Sequence, residues 1–124
     1  MCFGDRGKPD LRIPLMAGKL TTHVLDLVRG GPAAGMTIEC VDQHGEVLKT
    51  LVTNADGRTD VPVFNSEEMQ VGIFELRFQV GAYFRDHTGF LDMVPVRFRI
   101  MDASQSYHVP LLCTPWSYST YRGS

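Results

Sequence analysis

Two runs of strict alternation constrain this chain more than any other feature. Phe74, Leu76, Phe78 and Val80 stand at every second position against Glu75, Arg77 and Gln79. Val94, Val96, Phe98 and Ile100 repeat the pattern against Arg97 and Arg99. A period of two sends successive side chains to opposite faces of a strand, so each run demands a core on one side and water on the other. A helix would wrap both sets around its axis and bury neither cleanly.

The rest of the chain after Gly18 reads as further short strands. KLTTHVLDL ends in the breaker Arg29-Gly30-Gly31-Pro32, and MTIECVD closes at Gln43-His44-Gly45-Glu46. EVLKTLVT runs into the turn tetrad Asn54-Ala55-Asp56-Gly57, and SYHVPLLC and SYSTY close the chain around Thr114-Pro115. Each break carries residues that supply turn geometry or positive φ. Val80–His87 lacks the alternation and is predicted as a short helix before the turn at Gly89. Many short strands with almost no helix predict an all-β antiparallel sandwich. Pro95 and Pro110 interrupt strand patterns; each deletes a ladder donor, which predicts a sheet edge or a bulge there.

Residues 1–18, with Gly4, Gly7, Pro9 and Pro14, show no periodicity and read as a flexible extension ahead of one domain over 19–124; Met16 is a second candidate start. With 124 residues the chain has enough material for a single core. The net charge is −2 and no Lys/Arg cluster stands out, so no nucleic-acid or acidic-lipid partner is expected. No apolar run approaches the roughly 18–20 residues of a membrane span, and the opening residues have no apolar h-region of a secretory signal. Cys2, Cys40 and Cys113 form neither a disulfide framework nor a CxxC zinc pattern. They read as free thiols in a reducing, cytoplasmic compartment.

The chemistry-bearing groups are four histidines, Arg58 in the turn DGRTD, and the polar tail YRGS. GxGxxG, P-loop, HExxH and GxSxG motifs are all missing. His44 and His87 lie in turns, where exposure needs no function. His23 and His108 instead interrupt strands, and parity places them together. If Val24, Val109 and Leu111 face the core, then His23 and His108 stand on the outer face with Leu25, Pro110 and Leu112. Such a face is too apolar for open water and predicts a subunit contact or a ligand groove.

THVLDLVRGGPAAGM resembles the opening motif of the transthyretin-like family, and SYHVPLLCTPWSYSTYRGS is similar to its closing motif. TNADGRTD and FELRFQVGAYF fall where that family has its arginine turn and central strand. The resemblance runs from Lys19 to Ser124, and YRGS marks the 5-hydroxyisourate hydrolase branch. It implies a prealbumin-like sandwich of two four-stranded sheets with one short helix, assembled as a homotetramer of paired dimers. It also implies hydrolysis of the N1–C6 amide of 5-hydroxyisourate to 2-oxo-4-hydroxy-4-carboxy-5-ureidoimidazoline in urate degradation, without a cofactor. Carried over by position, the catalytic residues are His23, Arg58, His108 and Ser124, with Tyr121, Arg122 and Gly123 binding substrate. Ser106 departs from the HYHVPLL form common in the family.

These residue types suit the implied chemistry. Histidine, with an ordinary pKa of about 6.5, moves protons near neutrality. Arginine keeps its charge and can hold a developing oxyanion. The expected nucleophile is water, because no elbow exposes a serine beside a histidine. The alternative reading is a transthyretin-like carrier of a small aromatic ligand; His23, Arg58, His108 and YRGS, which hormone carriers lack, argue against it. Two histidines without a cysteine or carboxylate partner make a weak zinc site, so no metal is assigned. YRGS is not a peroxisomal SKL-type signal, and Lys19 stands where the amino-terminal peroxisomal pattern around Arg12-Ile13 wants His or Gln.

Overall fold

The structure, a computed structural model, describes residues 18–85 and 89–123. Among the described residues, eight strands and one helix follow in chain order: β1 (Leu20–Asp26), β2 (Gly31–Pro32), β3 (Thr37–Asp42), β4 (Val47–Val52), β5 (Gly72–Gln79), α1 (Val80–Phe84), β6 (Met93–Ile100), β7 (Tyr107–Cys113) and β8 (Tyr118–Thr120). They form two four-stranded sheets, ordered β2-β1-β7-β8 and β4-β3-β5-β6. This is the sandwich of two four-stranded sheets that the family resemblance implies.

The alternating runs do what their period requires. Phe74, Leu76, Phe78, Val94, Val96 and Ile100 are buried between the sheets, while Arg97 and Arg99 are exposed. The facing sheet contributes Val24, Val109 and Leu111. Phe64 meets Phe74 edge to face at 5.3 Å, the arrangement that the ring quadrupoles favour. Cys40 and Cys113 are free and buried, and burial pushes both thiols up to about 12, so they pack as small hydrophobes.

Four details differ from the sequence expectation. β1 and β7 pair in parallel, because the whole second sheet lies between them along the chain. Gly31–Pro32, read as a breaker, forms the short strand β2 against Leu25 and Asp26. Helix α1 stops at Phe84, where Arg85 adopts a left-handed φ of 64°; the predicted end at His87 lies outside the described residues. Pro95 is on an edge strand as expected, but Pro110 sits in an interior strand. Its carbonyl accepts a bond from Thr120 Oγ1 at 2.7 Å, on the side where the β7–β8 ladder has a gap between Leu111–Thr120 and His108–Gly123. A missing N–H is tolerated in such a gap.

Residues 1–17 lie outside the described residues, but Gly18, assigned to the extension, is buried. Its N–H donates to Ala103 O at 3.0 Å, and the Gln105 carbonyl occupies the space that a side chain would need. Among the described residues, no helix is long and apolar enough to cross a membrane.

Candidate active site

The β1–β7 register builds the floor of the site. Thr21 pairs with His108, His23 with Pro110, and Leu25 with Leu112. In parallel strands, directly paired residues share a face, so the odd-numbered side chains of β1 and the even-numbered ones of β7 form one outer surface. His23 and His108 are both half-buried on it, as parity predicts. Pro110 is covered within the chain itself, and Leu25 and Leu112 are partly covered, so this face is less bare than the sequence suggests.

Arg58 arrives on a turn docked against β1. Asn54 Oδ1 accepts the Asp56 and Arg58 N–H groups at 2.9 and 3.2 Å, and the Asn54 N–H donates to Arg58 O at 2.7 Å. Gly57 has φ +74°, and a Cβ there would strike the Val24 carbonyl; its own carbonyl accepts the Val24 N–H at 2.8 Å. Only glycine permits both that backbone conformation and that approach. The result is an isolated bridge between His23 and Arg58. Arg58 is exposed, its bridge to His23 sets the two residues on one face, and its charge reaches His108.

The tail crosses the same face from the other side. Gly123 bridges His108, donating its N–H to His108 O at 2.7 Å. A Cβ at Gly123 would lie 2.6 Å from His108 Cδ2, so the bare glycine backbone lies against the imidazole. The Arg122 guanidinium stacks 4.2 Å from the Tyr107 ring centroid and donates to Ser106 O at 3.0 Å and Gln105 Oε1 at 3.3 Å. Tyr121 is exposed. Ser124 lies outside the described residues, as does His87. His44 stays in an exposed turn away from this cluster, its N–H held by Asp42 Oδ1.

Hydrogen bonding distinguishes the two imidazoles. His23 Nε2 lies 2.9 Å from the Asp56 carbonyl, which can only accept, so Nε2 carries the proton and Nδ1 is the basic nitrogen of the neutral ring. In His108 it is Nδ1 that is engaged, 2.8 Å from Thr21 Oγ1, leaving Nε2 as the other nitrogen. Burial, then the Arg58 charge, then His23 hold the His108 pKa below its ordinary value. Each of these causes favours the neutral ring. The sequence reading gave Asn54, Asp56 and Gly57 only as parts of a turn tetrad and gave Thr21 no role in the site.

The model of the HIUase/Transthyretin family matches residues 20–123. The chain belongs to that family. It is 49% identical over 119 residues to the 5-hydroxyisourate hydrolase of Halalkalibacterium halodurans, covering 88% of this chain and 100% of that one. The solved Klebsiella pneumoniae 5-hydroxyisourate hydrolase superposes with a TM-score of 0.75 at 35% identity, covering 86% of this chain and 99% of that one. Sea bream transthyretin in complex with thyroxine superposes with a TM-score of 0.77 at 25% identity, covering 85% and 94%. The family thus holds hydrolases and a thyroxine-binding protein on one fold, and function within it is decided by side chains.

Proposed function

We propose that the chain is a 5-hydroxyisourate hydrolase that opens the N1–C6 amide with a histidine-activated water. The observation that carries this reading is the convergence of His23, Arg58 and His108 from three separate segments onto one outer face. Near-full-length similarity to proteins named for that activity supports the substrate.

In the proposed reaction the water donates one O–H to His23 Nδ1 and the other to His108 Nε2, which leaves an oxygen lone pair directed at C6. Attack on the carbonyl transfers a proton to His108 and places negative charge on the carbonyl oxygen, beside Arg58. Collapse of the tetrahedral intermediate expels N1, which takes the proton back from the His108 imidazolium. The product is 2-oxo-4-hydroxy-4-carboxy-5-ureidoimidazoline. Low proton affinity at His108 suits both halves of this cycle, because the ring starts as a free base and surrenders its proton readily. Ser124 supplies its hydroxyl to orient the water or Arg58. Gly123 and Tyr121 form the substrate side, and Arg122, held on Tyr107, acts by anchoring that tail. No cofactor enters the scheme, the working unit is a homotetramer, and the buried reduced cysteines fit a cytoplasmic setting.

Replacing His23, Arg58 or His108 by Ala should each slow substrate decay, by about 100- to 10,000-fold for the acid–base groups, with folding intact. His44→Ala should be silent. Near-normal rates in folded His23→Ala and His108→Ala proteins would refute the mechanism.

A further inference from the structure

We propose that Thr21 is the positioning residue for His108: its hydroxyl oxygen accepts the Nδ1–H and so reserves Nε2 for the proton of the reacting water. The inference rests on the hydrolase reading above and assigns a part to a residue that does not itself touch substrate.

The geometry supporting it is specific. Thr21 and His108 are direct register partners in the parallel β1–β7 pair, and their side chains meet at 2.8 Å on the outer face. The imidazole is confined on its other side by Gly123, where even a methyl group would collide with Cδ2. The ring is thus held between a hydroxyl at Nδ1 and a bare backbone at Cδ2, an arrangement that fixes its plane and leaves Nε2 as the nitrogen for chemistry. A threonine is already restricted at χ1, so little entropy is lost in aiming its oxygen.

A hydroxyl can donate to a ring nitrogen or accept from it, and only one direction survives catalysis. If Thr21 donated to Nδ1, the neutral ring would carry its proton on Nε2 and could not act there as a base. When Nδ1–H donates to Thr21, the bond persists in the neutral ring and in the imidazolium, and strengthens as the ring becomes charged. The same arrangement, a fixed partner on one imidazole nitrogen that decides the role of the other, is general in histidine chemistry. His23 shows it here with the Asp56 carbonyl, which holds the opposite nitrogen.

The test begins with the wild-type protein labelled with ¹⁵N-histidine, at a pH about one unit above the ordinary histidine value. Two-bond ¹H–¹⁵N spectra should show His108 protonated on Nδ1 and His23 on Nε2. A His108 protonated on Nε2 overturns the proposal. Thr21→Val, nearly isosteric, should lower kcat by about 10- to 100-fold, the usual range for losing an orienting partner, with KM changed less than about twofold. Thr21→Ser should restore most of the rate. The acid limb of the pH–rate profile of Thr21→Val should stay or move to lower pH, because the lost bond favoured the charged ring. A move to higher pH means that Thr21 was the donor and refutes the assignment, as does unchanged kcat or failure of Ser to rescue. If Thr21→Val does not fold, the wild-type spectrum still decides. If the wild-type protein does not hasten 5-hydroxyisourate decay, the hydrolase reading fails while the spectra judge Thr21 independently.

Discussion

At the scale of single residues, the proposed site engages one nitrogen of each imidazole. His23 is committed through the Asp56 carbonyl, and His108 through Thr21. The consequence with the clearest sign concerns pH. The His108 pKa is lowered chiefly by burial and then by Arg58 and His23, so its base form persists below the ordinary value of about 6.5. The acid limb of kcat/KM is expected to inflect below that value. Arg58→Gln should move the His108 titration, followed by NMR, to higher pH; an unmoved titration would mean that the arginine charge does not reach the ring. The linkage to stability has the same origin. The contribution is present above the unfolded pKa and is lost as pH falls from about 6.5 through the folded value, because the unfolded chain binds the proton more readily there. Parity on β1 and β7 made the shared face of His23 and His108 legible from sequence. The Thr21 contact was not, since it depends on a parallel pairing of segments 87 positions apart that no local pattern encodes.

At the scale of elements, the closing strand differs most from the default. Chain ends usually tolerate change. Here Arg122 is stacked on Tyr107, and Gly123 lies against the His108 imidazole, a wall of the proposed site. Gly123→Ala should therefore displace the imidazole and depress turnover steeply while leaving the melting temperature within about 2 °C, the shift expected of a substitution costing a few tenths of a kcal/mol. Equal activity per folded molecule would show that the close approach has no catalytic part. The alternating strands β5 and β6 were legible from their period alone, and the turn carrying Arg58 from its DG step. β2 was not legible, because two residues ending in proline carry no strand signal and pair only because β1 lies beside them. Pro110 misled for a related reason: proline marks a missing donor, and a local gap in an interior ladder accommodates that as well as an edge does.

At the scale of the whole molecule, the outer face of β1 and β7 carries both the site and a partly covered apolar strip, Leu25 beside Leu112. β8 adds exposed Tyr118, with Trp116 and Tyr121 flanking it. Exposed aromatic and aliphatic groups around a polar site fit a contact between copies that would wall the site from water. The chain is expected to sediment as a tetramer, and Leu112→Arg to yield smaller species with little activity. A fully active monomer at low concentration would refute the assembly and leave the site formed by one chain. The fold alone does not separate hydrolase from carrier, because sea bream transthyretin shares it at a TM-score of 0.77. We place the separation in His23, Arg58 and His108, and the most direct test is kinetic. With 5-hydroxyisourate generated in place by urate oxidase and followed by its ultraviolet band, catalytic amounts of this protein should accelerate the decay well beyond the spontaneous rate. A decay unchanged by added protein would contradict the account.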